Sequence, residues 1–164
     1  MLNFLNILPI ILLLAFQNIN AQENSQEDLI GTWQVSRCEV FNEGRLIKTG
    51  TFNATAFDNK QVEGNYAGKI EEEVNQIIKE ILGAKITLNS DSTISSDVSV
   101  KSIGFSNEHW KLNPTGELVV FKNKSRNGAK PVLFSARVVF MSRSEIQIIY
   151  FDSGFELRLF LSLN

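Results

Sequence analysis

From residue 85 to residue 164, apolar and polar residues alternate in short runs, and turn-forming clusters separate the runs. A period of two is a strand period, because successive side chains of an extended chain point to opposite faces. The last run is the clearest: Phe155, Leu157, Leu159, Leu161 and Leu163 face one way. Val132, Phe134, Ala136, Val138 and Phe140 form a second such row. Turns are expected at Asn89-Ser90-Asp91-Ser92, Asn113-Pro114-Thr115-Gly116, Ser142-Arg143-Ser144 and Asp152-Ser153-Gly154. Asn, Asp and Ser hydrogen-bond their own backbone, proline fixes φ, and glycine tolerates positive φ. Short strands at this spacing fold as a sandwich or an up-and-down barrel.

The first half adds two strands and a helix. The run LIGTWQVSRCEVF, from residue 29, is rich in β-formers, but its phase breaks. Trp33 and Val35 share one face, while strict alternation puts Cys38 and Val40 on the other; a bulge near Ser36 brings all four inward. Asn42-Glu43-Gly44 turns the chain into RLIKTGTF. Residues 53–65 are polar and weakly patterned, as in a loop. Over 66–83 the period becomes helical: Ile70, Val74, Ile77, Ile78, Ile81 and Leu82 make one stripe, opposite Glu71, Glu72, Glu73, Gln76 and Lys79. Asn65 suits the start of that helix and Gly83 its end. The expected fold is mainly β: a single antiparallel up-and-down β-barrel of eight or nine strands over residues 29–164, with one amphipathic helix after the second strand.

The N-terminus has a different character. Residues 1–21 carry no charged side chain and hold an apolar run at 7–16. That run is too short to span a bilayer, which needs about 20 residues, but it fits the ~7–15-residue core of a secretory signal peptide. Residues 1–21 are therefore expected to be a signal peptide and 22–28 a polar leader. A lipid anchor needs a cysteine after the apolar core, and none stands there. The expectation is an exported protein, periplasmic or extracellular, without stable membrane insertion after cleavage. The single cysteine, Cys38, rules out an internal disulfide and is expected to be a small buried hydrophobe. A formal net charge of −2 argues against a nucleic-acid partner, which calls for a strongly basic face.

Gly31-Thr32-Trp33 on the first strand resembles the opening of lipocalins and fatty-acid-binding proteins. The order LIGTW, KIEEEVNQIIKEILG, ITLNSDSTI, HWKLNPTGELVVF and MSRSEIQIIY is similar to lipocalin-like domains of small secreted bacterial proteins. The resemblance covers most of residues 29–164. It implies a calycin-type barrel with an early helix. It also implies that Trp33 closes one end, with Arg158 of the last strand as its cover through a cation–π contact of ~0.5–2 kcal/mol. The disulfides usual in lipocalins are absent, and the helix comes early rather than near the C-terminus.

No catalytic or metal-binding constellation is legible. His109 is the only histidine and lies in SNEHWK, a strand without ligand spacing. Glu71, Glu72 and Glu73 diverge by about 100° per residue on a helix and do not converge on one ion. Lys122, Lys124, Arg126 and Lys130 form a basic loop that could attract an anionic surface. Neither enzyme activity, cofactor nor metal is expected. The first functional expectation is a small hydrophobic ligand inside the barrel, with Phe105, Phe121, Phe134 and Phe140 as its lining. The alternative is a filled barrel serving as a structural or interaction module for an envelope protein. An eight-strand barrel permits either, since its interior holds one small ligand or its own side chains.

Overall fold

The computed structural model describes residues 25–53, 60–64, 71–97, 105–122, 131–152 and 154–164. The signal-peptide segment and the basic residues 124, 126 and 130 lie outside them. Ten strands are described: β1 (Gly31–Asn42), β2 (Arg45–Phe52), β3 (Lys60–Glu63), β4 (Lys85–Leu88), β5 (Thr93–Ser96), β6 (Ser106–Leu112), β7 (Glu117–Phe121), β8 (Val132–Phe140), β9 (Glu145–Asp152) and β10 (Phe155–Leu163). Helix α1 (Glu71–Ile81) stands between β3 and β4.

Strands β4 to β10 follow one another as antiparallel neighbours, and β1 closes the circle against both β4 and β10. The result is an eight-strand antiparallel barrel with one helix after the early strands. Closure depends on the length of β1. Its first residues, Gly31 to Gln34, pair with β4; Arg37 to Asn42 leave that edge to β2, while β10 follows the other edge from Trp33 to Asn42. The β2–β3 hairpin thus extends the wall beyond the short β4. The sequence makes β1 such a strand through the bulge at Ser36. The register against β10 shifts between Val35 and Arg37, and Trp33, Val35, Cys38 and Val40 are all buried.

The tight β1–β2 turn has positive φ at both Glu43 and Gly44, the backbone twist that a two-residue hairpin favours. The end of the polar stretch 53–65 is not all loop: Lys60 to Glu63 pair with β2 from Phe52 to Thr49, so α1 follows a third strand. Four residues, two of them charged, are too short for alternation to register. The end of the expected leader is also ordered. Gln26–Leu29 form a 3₁₀ turn, with the Ser25 amide donating to the Asp28 carboxylate at 2.7 Å.

The barrel has one continuous apolar interior. Trp33, Trp110, Ile94, Leu118, Val120, Ile146, Leu159 and Leu161 are almost fully buried in it. At the end where β1 begins, two tryptophans face inward with their polar atoms satisfied. The Trp33 indole N–H donates to the Leu29 carbonyl at 2.8 Å, and that of Trp110 to the Asn89 carbonyl at 3.3 Å. A buried indole without a partner would cost about 1–3 kcal/mol.

Candidate functional site

The opposite end is covered by α1. The helix lies along the inner face of β2, and glycine makes the approach possible. A Cβ on Gly50 would overlap Ile78 and come within 2.9 Å of Leu82. Gly50 pairs with Cys38, and Cys38 pairs in turn with Leu159, so this face is the barrel interior. Ile78, Ile81 and Leu82 are at most 1% exposed and belong to the same core as Trp33 and Leu159. Of the described stripe, Ile78, Ile81 and Leu82 are buried as the period requires, Val74 is half-buried, and Ile77 is 40% exposed at the margin. Expected positions 65 to 70 lie outside the described residues. The chain after α1 is tied to the bulge of β1, where Gly83 N–H donates to Val35 C=O and Val35 N–H to Ala84 C=O, both at 2.9 Å.

At its other end the helix meets a buried charge. Lys48 is the one charged residue buried among the described residues. It extends the inward row of Gly50, and its ammonium lies 2.7 Å from Glu71 Oε1 and 2.9 Å from the Gly64 carbonyl. The ion pair fixes the first residue of α1 to β2. Burying an ammonium costs several kcal/mol before such partners offset it. The sequence shows only Lys48 in an alternating strand; the distant Glu71 that makes its burial tolerable is not legible there.

The expected lining residues fall into two sets. Phe105 and Phe134 are buried and meet edge to face, with ring centroids 5.7 Å apart. Tyr150 extends the cluster, stacked on Phe134 at 4.8 Å. It was missed as a candidate, although the row Ile146, Ile148, Tyr150 carries it. Phe140 is half-buried against the same core, at the β8–β9 turn. Phe121 is placed differently. It pairs with His109 and stacks on it at 5.9 Å, whereas their neighbours Val120 and Trp110 are the buried pair. Phe121 and His109 thus share the outer face of the wall, and Phe121 does not line the interior.

Register also corrects the expected cover of Trp33. Trp33 pairs with Leu163, and Arg158 pairs with Glu39, half a strand away. Arg158 is ion-paired with Glu156 and lies 4.2 Å over the Phe41 ring on the outer surface. The cover of Trp33 is instead Leu29, fully buried on the 3₁₀ turn and acceptor of the indole hydrogen bond.

Cys38 and His109 cannot act together, since one faces the interior and the other the outer surface. Burial, with a smaller effect from Glu39, pushes the Cys38 thiol up to about 12. This sets an alkaline limit on stability. The folded thiol keeps its proton where the unfolded one, near 9.0, loses it. Stability is therefore full below pH 9 and is expected to fall towards pH 12 by up to about 1.4 kcal/mol per unit. Urea melts between pH 8 and 11 check this: Cys38→Ala should flatten the slope, and native protein should resist iodoacetamide.

Among the described residues no three His, Cys, Asp or Glu side chains converge as a metal site, and no helix is long and apolar enough to cross a membrane. The turn at 89–92 is held by Asp91, whose carboxylate accepts from the Thr93 hydroxyl at 2.6 Å and from its amide at 2.9 Å. Those bonds hold its carboxyl below the usual range. No protein-family model, curated protein or solved structure matches this chain.

Proposed function

We propose that the chain is an exported, lipocalin-like, non-catalytic protein that takes one small apolar ligand into the helix-covered end of the barrel. The reading rests on how the interior is filled. At the tryptophan end, the filling side chains apart from Leu29 belong to the wall itself and cannot leave without opening the barrel. At the other end, Ile78 and Ile81 of α1 and Leu82, the residue that follows it, stand outside the circle of eight strands. Moving α1 vacates apolar volume over Gly50 and its neighbour Cys38 on the inner face while the closed sheet stays intact. An eight-strand barrel has room for side chains or for one small ligand. A removable filling reconciles the two.

The test is a titration with N-phenyl-1-naphthylamine, a neutral apolar fluorophore. Saturable one-to-one binding with a blue-shifted emission is expected. An absence of binding by folded protein up to the solubility limit of the probe contradicts the reading.

A second reading is favoured by one surface feature. Phe151 is 66% exposed beside Phe41 and Phe155, around a shallow depression of about 270 Å³. A filled barrel presenting this face to an envelope protein would use it as the contact. It predicts that Phe151→Ser abolishes cross-linking in the exported fraction and leaves fluorophore binding unchanged.

A further inference from the structure

The two ends of α1 are held by different chemistry. Just past Ile81 the chain is fastened to β1 by three hydrogen bonds: Gly83 N–H to Val35 C=O, Val35 N–H to Ala84 C=O, and the Gln34 side-chain amide to Gly83 C=O at 3.1 Å. At Glu71 the tie is the ion pair with Lys48, at 2.7 Å. Its partners are unequal: the Lys48 side chain is 5% exposed and that of Glu71 37%. Seven residues make about two helical turns, so Glu71 lies in line with Ile78. Lys48 and Gly50, two apart on β2, share a face. The apolar contact of Ile78 with Gly50 thus continues, towards the helix start, as a charged contact of Glu71 with Lys48.

These contacts resist separation differently. Apolar side chains pulled from a core are penalised by the water they meet. A buried ammonium and carboxylate lose their attraction on parting, but both regain hydration, and the two effects largely offset. Lys48 also lines the open groove between α1 and β3, so water reaches its ammonium once the helix end lifts. We propose that the Lys48–Glu71 pair is a clasp: α1 opens from Glu71 towards its fastened end at Gly83, and the pair sets how readily it does so. This rests on the reading that a ligand replaces the helix, and on that reading the clasp sets ligand affinity, since apparent affinity scales with the fraction of molecules open. The two partners act in opposite directions. Without the Glu71 charge, Lys48 is a buried cation lacking a counter-charge; the closed form is penalised and opening is favoured. Without the Lys48 charge, an apolar side chain packs beneath the helix, Glu71 keeps its access to water, and opening is disfavoured.

Amide exchange of the ligand-free protein and titration with N-phenyl-1-naphthylamine, each on Glu71→Gln and Lys48→Met, test the proposal. Glu71→Gln is expected to speed exchange from Asn75 to Ile78 about tenfold, with β8 to β10 unchanged, and to tighten fluorophore binding by about the same factor. Lys48→Met should slow that exchange and weaken binding. A merely structural tie would answer both substitutions in the same sense. Helix exchange that moves in one direction in both variants, or in neither, overturns the proposal. Should Glu71→Gln fail to fold by circular dichroism, Lys48→Met decides, and faster helix exchange in it overturns the clasp. The exchange needs no ligand, so the two readings fail separately. Unaltered protein that binds no fluorophore defeats the ligand reading, and the exchange still decides the clasp. Fluorophore binding of equal affinity in all three proteins overturns the clasp alone.

Discussion

Replacing Trp33 by alanine is expected to destabilise the protein by about 3–5 kcal/mol, the usual cost of truncating a large buried aromatic. Trp33 is 1% exposed and closes the barrel where β1 meets both β4 and β10. The substitution would leave a cavity between three strands and deprive the Leu29 carbonyl of its donor. At about 2–4 °C per kcal/mol for a chain of this size, the midpoint of thermal unfolding should fall by about 6–20 °C. Trp33→Phe separates the two contributions. It keeps most of the volume and loses the hydrogen bond, so about 1–3 kcal/mol should be lost. Denaturant melts of both variants give the answer. A loss below about 1 kcal/mol for Trp33→Ala would mean that this end of the barrel is not packed as described.

The second large effect is expected at Gly50. In an isolated strand valine is favoured over glycine, for its branched side chain and its smaller backbone entropy loss. Gly50→Val should therefore strengthen β2 if nothing opposed it. Here the new side chain would occupy the space of Ile78 and Leu82, and overpacking of this kind costs about 1–3 kcal/mol. The cost should fall on α1, because the helix can move and the paired strand cannot. Amide exchange from Val74 to Ile81 should accelerate more than exchange in β8 to β10, as local opening of one unit predicts. Adding Ile78→Ala should recover part of the loss, with a coupling of about 0.5–3 kcal/mol. Unchanged stability and unchanged helix exchange would place α1 elsewhere.

The fold was largely legible because strand and helix periods are properties of consecutive residues. β7 and β10 begin and end as their alternation indicates, and the bulge at Ser36 follows from a phase break between Val35 and Cys38. β3 was hidden because four residues carry too little period, and its pairing with β2 is a tertiary fact. The site was legible only in part. Phe134 was readable from its row, but the outward placement of Phe121 depends on which β6 residue it meets. Arg158 was displaced from Trp33 by register, which no local pattern in β10 records. The Lys48–Glu71 pair arises where distant segments meet, beyond the reach of any window along the chain.

The proposed function requires that the tryptophan end of the barrel stay packed while a ligand replaces the helix at the other end. NMR of the protein titrated with N-phenyl-1-naphthylamine tests this directly. The methyl signals of Ile78, Ile81 and Leu82 and the ring signals of Phe134 and Tyr150 should shift together and saturate at one equivalent, while the indole N–H signals of Trp33 and Trp110 stay in place. Shifts confined to Phe41, Phe151 and Phe155, with the helix methyls unmoved, would contradict it and assign the apolar chemistry to the outer surface.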